Sequence, residues 1–207
     1  MSSTTVSSNK INIESRVRDY VALMKPRVMS LVIFTAIAGI VLSPGNIGLV
    51  DSIVTIICVA LASGASAAIN MWYDRDIDSL MSRTTNRPIV TGHIIPAEAL
   101  SFGVILAFFS CFILFVCVNS MTAILTLASI LIYVFIYTIW LKRISVQNIV
   151  IGGASGAIPP MIGYSASNGA VDMFSISMFL IIFLWTPPHF WSLAVLRKNE
   201  YEKCGVP

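Results

Sequence analysis

Charge is what this sequence has least of. Only 11% of its 207 residues are Asp, Glu, Lys or Arg, while 57% are hydrophobic. A mean hydropathy of +0.85 takes it out of the range of ordinary soluble domains. Cysteine is also sparse: Cys58, Cys111 and Cys117 lie in apolar runs and Cys204 near the C-terminus, with no CxxC spacing. That distribution excludes a zinc ribbon or a disulfide framework and fits buried small hydrophobes, with Cys204 as a free thiol. A short secretory signal peptide is not expected, because the first ten residues, MSSTTVSSNK, are polar and the first apolar run starts well beyond them. No internal repeat is evident, which weighs against the repeat-built secondary transporters.

What is present is a series of long apolar runs. They fall at 23–43, 53–71, 97–118, 121–140, 149–164 and 173–196, and most approach the roughly 20 residues a helix needs to cross a bilayer. The expectation is therefore an all-α polytopic membrane protein with six crossings around a central cavity. The weakest run, 149–164, carries GGASGAIPP and is expected to be tilted, kinked or packed inside the bundle.

The thirteen Lys and Arg residues test this count independently. Lys10, Arg16, Arg18, Lys25 and Arg27 precede or open the first run, and Arg75, Arg83 and Arg87 follow the second. Lys142 and Arg143 follow the fourth; Arg197, Lys198 and Lys203 follow the sixth. The stretches 44–52, 119–120 and 165–172 contain none. Because cytoplasmic loops collect basic residues, both ends are expected in the cytoplasm. The net charge of +3 is then a topology signal, and no nucleic-acid partner is implied. A Ser/Thr-rich start followed by arginines resembles a mitochondrial transit peptide faintly, but Glu14 and Asp19 argue against one. A bacterial cytoplasmic membrane is favoured.

Polarity gathers at NMWYDRDIDSLMSRTTNR, residues 70–87. Asn70, Asp74 and Asp78 recur every four residues, so a continuing helix projects all three from nearly one face. Oxygen donors in that arrangement, beside Arg75, Arg83 and Arg87, suit a divalent cation and a diphosphate. The alternative is a mixed-charge interfacial loop, and a DxxxD pattern alone is only moderately specific. A second polar feature, FLWTPPHFWSLA, sets His189 after Pro187 and Pro188 in the sixth run. That imidazole has three readings: contact with a tetrapyrrole, handling of a proton, or a bond to a carbonyl freed by the prolines.

Four stretches together resemble the protoheme IX farnesyltransferase (heme O synthase) family, a branch of the intramembrane aromatic prenyltransferases. They are YVALMKPRVMSLVIFTAIAG, NMWYDRDIDSLMSRTTNRPIVTG, GGASGAIPPMIGY and FLWTPPHFWSLAVLRKNEYEKCGVP. The match runs from about Tyr20 to the C-terminus, and TPPHFW separates this branch from the quinone-prenylating ones. The resemblance implies transfer of the farnesyl group of farnesyl diphosphate to a vinyl group of heme B, giving heme O for terminal oxidases. Mg²⁺ is the implied cofactor, with heme B as a substrate.

Carried over to this sequence, the resemblance makes Asn70, Asp74 and Asp78 the metal ligands, with Asp74, Asp78 and His189 in catalytic roles. It assigns Lys25, Arg27, Arg83 and Arg87 to the diphosphate, and His189 to orienting heme or moving a proton. Trp72, Tyr73 and Tyr164 are candidates for stabilising a carbocation, or else interfacial anchors. The family's second acidic motif is reduced here to RKNEYEKCGVP, leaving Glu200, ahead of Glu202, as a further metal ligand. Implied partners are membrane lipid and a heme A synthase or terminal-oxidase assembly. Residues 1–22 are expected to form a cytoplasmic segment and 23–207 the prenyltransferase domain, C-terminally incomplete because family members continue through further helices. Transfer to another aromatic or tetrapyrrole acceptor is the alternative, and a secondary transporter is disfavoured because the acids gather at one membrane face.

Overall fold

A computed structural model describes residues 13–205 and Pro207. Lys10 and most of the expected 1–22 segment lie outside the described residues. Within them the ordered elements are all helical: α1 (Ile13–Leu23), α2 (Pro26–Leu42), α3 (Leu49–Tyr73), α4 (Arg75–Leu80), α5 (Pro96–Cys117), α6 (Ser120–Leu131), α7 (Asn148–Ala157), α8 (Pro159–Asn168), α9 (Met173–Leu196) and α10 (Lys198–Lys203). After Leu131, α6 widens into a π-helical stretch over Ile132–Trp140 and tightens again over Leu141–Arg143. Five helical segments are long and apolar enough to cross a membrane. A sixth is the α1–α2 pair, bent by 54°. The protein is an integral membrane protein.

Burial ranks the helices. In α3, 56% of the most apolar window is inside the protein, against 6% in α9, so α3 is central and α9 peripheral. Small residues explain how α3 is enclosed: Gly64, Ala65, Ser66, Ala67 and Ala68 are all buried, and short side chains let neighbouring backbones approach. α5 packs along one side of α3, and α2 lies on α3 and α8. At the α2–α8 crossing a Cβ on Gly39 would strike the Pro160 carbonyl, and one on Gly163 the Ala36 carbonyl. These obstacles are backbone atoms, so glycine is required at both positions. The segment expected to be tilted or packed inside is α7 and α8 together, 61% buried and meeting at Ile158 and Pro159.

The expected boundary between residues 22 and 23 falls inside α1. That helix is tied to α5 by Arg16 on Glu98 (3.1 Å) and by Tyr20 edge-on to Phe102. At the end of the bundle that carries residues 44–48, 118–119 and 169–172, Asn119 donates to the Ser165 carbonyl (2.9 Å). There Asp172 also caps α9 while accepting from the Tyr164 hydroxyl. This lock leaves the opposite end, where α3, α5 and α6 meet the α4 loop, to carry the charged side chains.

Candidate active site

Asn70 occupies the last turn of α3 and Asp74 the junction with α4. The junction interrupts the helix at Asp74 (φ −88°, ψ 11°). Hydrogen bonding nonetheless continues across it, from Asp74 N–H to the Asn70 carbonyl (2.9 Å) and from Asp78 N–H to the Asp74 carbonyl (2.8 Å). The four-residue spacing therefore survives the break. All three side chains are buried.

Each aspartate of the DRDID stretch has its own cation. Lys142 pairs with Asp74, Arg143 with Asp76 and Arg87 with Asp78. The partners arrive by different routes. Thr84, buried after α4, donates to the Asp78 carbonyl (2.7 Å) and accepts the Arg87 N–H at its own carbonyl (3.0 Å). This turn folds the chain back so that Arg87 meets Asp78. Lys142 and Arg143 come from the end of the π-helical stretch, whose wider turn sends the Thr138 hydroxyl to the Tyr133 carbonyl (2.8 Å) and exposes its oxygen to Asn70 Nδ2 (3.2 Å). Such insertions recur at functional sites.

Asn70 links the cluster to the first helix pair. Its Nδ2 donates to Asp74 Oδ2 (2.6 Å), and its Oδ1 accepts from Lys25 Nζ (2.7 Å). Lys25 lies between α1 and α2 with φ 52°, the one described residue other than glycine in left-handed conformation. Strain of that kind persists where surrounding structure holds it and is concentrated at functional sites. Burial raises the Asp78 carboxyl above the usual range despite Arg87. The bidentate Arg143 guanidinium instead holds Asp76 down to about 2.

The sequence-derived candidates thus separate. Side-chain hydrogen bonds join Lys25, Asn70 and Asp74, and the Asp78–Arg87 pair is tied to them through the Asp78 N–H bond to the Asp74 carbonyl. Arg27, in the first turn of α2, and Arg83, in the loop after α4, are exposed. Glu200 bonds Ser82 (3.1 Å) and lies 3.6 Å from Arg197, beneath the α4 loop, where Tyr201 and Cys204 pack on Ile77 and Met81. His189 stacks on Trp185 at 4.3 Å and is exposed, one turn before Leu193. Leu193, Leu196, Arg197 and Glu200 line a cavity of about 440 Å³. Within α9, Thr186 donates to the Ile182 carbonyl (2.7 Å) and Ser192 to the Pro188 carbonyl (2.7 Å), on either side of His189. Arg143 covers the Tyr73 ring (4.8 Å), and Tyr164 sits in the lock at the opposite end.

Sequence reasoning missed Asp76, Thr138, Lys142 and Arg143 as site residues, having read the two cations only as topology markers. The signal was charge balance. Three closely spaced carboxylates at a membrane face need cations, and the fourth run ends in two on that face.

Residues 31–207 match the UbiA prenyltransferase family. The chain belongs to that family. It is 54% identical over all of its length to a Rickettsia bellii protein named protoheme IX farnesyltransferase, covering 70% of that protein. It is 55% identical to a Rickettsia felis protein of the same name, across 99% of this chain and 67% of the relative. The chain spans about two thirds of the length of the relatives it matches. Among solved structures, a UbiA homologue from Archaeoglobus fulgidus bound to GPP and Mg²⁺ superposes with a TM-score of 0.76 at 20% identity, over 91% of this chain and 66% of that one. The same homologue bound to DMAPP and Mg²⁺ gives 0.77. At that identity the likeness establishes the UbiA fold.

The donors present fit Mg²⁺. Asp74 Oδ1 is buried without a hydrogen-bond partner, and carboxylate and amide oxygens are the hard donors that ion prefers. Among the described residues no three His, Cys, Asp or Glu side chains form a metal cage by themselves. Mg²⁺ is commonly held by one or two carboxylates together with substrate phosphates rather than by an all-protein cage.

Proposed function

We propose that this UbiA-family protein transfers the farnesyl group of farnesyl diphosphate to a vinyl group of heme B, adding water to give heme O. The observation that carries this reading is the buried Asn70, Asp74 and Asp78 face, with a cation on each aspartate and a vacant oxygen on Asp74, at one end of an apolar bundle. The farnesyltransferase name of its relatives supports the acceptor.

Asn70, Asp74 and Asp78 would hold the metal. Bound Mg²⁺ supplies positive charge to the diphosphate oxygens as they depart. Lys25, Lys142 and Arg87, already gathered at the carboxylate face, donate to the same oxygens, with Arg27 and Arg83 entering from the exposed rim. The apolar helices keep water from the allylic cation until the vinyl carbon attacks it. Water then adds to the resulting cation and releases a proton, completing the hydroxyethyl group. His189 orients the tetrapyrrole from the α9 face, and Glu200 would serve as a further metal ligand. Both chain ends face the bacterial cytoplasm, with 23–207 as the prenyltransferase domain and a heme A synthase or oxidase-assembly partner taking the product.

Diphosphate release tests this reading. With farnesyl diphosphate, heme B and Mg²⁺, the reconstituted protein should release diphosphate only when heme is present, and Asp74→Ala should abolish release. Undiminished release by that variant would remove the site from the mechanism.

A further inference from the structure

Resting on the reading of Asp74 as a metal ligand, we propose that Asp76 is a positioning residue: it holds Arg143 away from the vacant Asp74 oxygen and keeps that oxygen open to a divalent cation. Asp76 stands apart from the Asn70, Asp74 and Asp78 stripe. Two residues along a helix correspond to about 200°, which takes Asp76 off that stripe. It is 61% exposed, where Asp74 is fully buried. Solvated acids are usually spectators, but this one grips a specific partner. Arg143 Nη1 and Nη2 each donate to an Asp76 oxygen at 2.8 Å.

Arg143 has a competing destination. Its Nη2 lies 3.6 Å from Asp74 Oδ1, an ion-pair distance too long for a hydrogen bond. That oxygen is buried and unpartnered, while Oδ2 of the same carboxylate already accepts from Asn70 and Lys142. A guanidinium so close to a bare buried carboxylate oxygen closes the gap unless something holds it. Three contacts hold it: the Asp76 fork, a bond from Nη2 to the Tyr73 carbonyl (3.2 Å) and the Tyr73 ring beneath it. Only the fork carries opposing charge, so its loss shifts the balance to Asp74. A shift of under about 1 Å would complete a charge-assisted bond. Both Asp74 oxygens would then be occupied by protein cations, and an incoming metal would have to displace one.

The other two pairs differ in this respect. Lys142 and Arg87 sit on carboxylates of the metal face itself and must yield or share when the metal diphosphate arrives. Arg143 is parked on an acid outside that face.

The test is Mn²⁺ uptake by the full, detergent-solubilised chain without prenyl substrate, read from the free Mn²⁺ EPR signal. Asp76→Asn should weaken Mn²⁺ binding about tenfold, the equivalent of displacing one charge-assisted hydrogen bond. Asp76→Glu, which keeps the fork, should restore binding. Asp76→Asn with Arg143→Gln should also restore it, because the competitor is gone, and Arg143→Gln alone should bind at least as tightly as wild type. Wild-type affinity in Asp76→Asn, or a loss that Arg143→Gln fails to reverse, would overturn the positioning role while leaving the metal site standing. Wild-type protein showing no Mn²⁺ uptake sensitive to Asp74→Asn would overturn both.

Discussion

Lys142 and Asp74 form the most enclosed ion pair of the cluster, with side-chain exposures of 17% and 0%. Replacing Lys142 by Met keeps the length of the side chain and removes its charge, stranding the Asp74 carboxylate. Removing one partner of a buried pair costs about 3–5 kcal/mol. Two features reduce that figure here: Asn70 still donates to Asp74 at 2.6 Å, and Arg143 at 3.6 Å is a second cation ready to move in. A loss of about 2–3 kcal/mol is therefore expected, or roughly 4–12 °C in Tm for a chain of this size. Asp74→Asn leaves an ammonium with some access to water and should cost about 1 kcal/mol less than Lys142→Met. With both changes, no stranded charge remains, and stability should return to within about 1 kcal/mol of wild type. Thermal unfolding in nanodiscs, followed by circular dichroism over the four members of the cycle, measures the coupling. Additive effects, with coupling under about 0.5 kcal/mol, would refute the pairing.

Lys25→Gly separates strain from function: relief of the left-handed backbone should leave Tm unchanged or raised by a few degrees, while the KM for farnesyl diphosphate rises. A large fall in Tm would show Lys25 to be structural. Gly163→Ala forces α8 away from the Ala36 carbonyl and should destabilise by about 1–3 kcal/mol, read as a lower Tm. The hydroxyl of Tyr164 holds the Asp172 carboxylate below its usual range. Its contribution to stability is thus present above the ordinary carboxylate pKa and fades as pH falls through the depressed value, so Tyr164→Phe should weaken the acid limb of a Tm-against-pH curve. His189→Ala should raise the KM for heme B and leave that for farnesyl diphosphate unchanged.

Much of this architecture was legible because a bilayer imposes simple rules. Run lengths located the crossings. The four-residue spacing of Asn70, Asp74 and Asp78 persists in the backbone hydrogen bonds even though the helix breaks at Asp74, and all three side chains are buried. Lys142 and Arg143 escaped notice because they sit 68 and 67 residues along the chain from Asp74 and Asp76, and no local pattern records a long-range ion pair. The π-helical turn that aims Thr138 at Asn70 is equally silent, since IYVFIYTIW reads as an ordinary apolar helix. Asp76 was overlooked for the opposite reason. It falls off the stripe, and only the position of Arg143 gives it a task. His189 was marked by its prolines, but its stacking on Trp185 depends on a helix face that sequence alone does not orient.

Mass spectrometry of heme recovered from the reconstituted protein, incubated with heme B, farnesyl diphosphate and Mg²⁺, tests the central claim most directly. A gain of one farnesyl group and one hydroxyl, absent with Asp74→Ala, is the predicted result. Unmodified heme B alongside consumption of the prenyl diphosphate by another aromatic acceptor would contradict it.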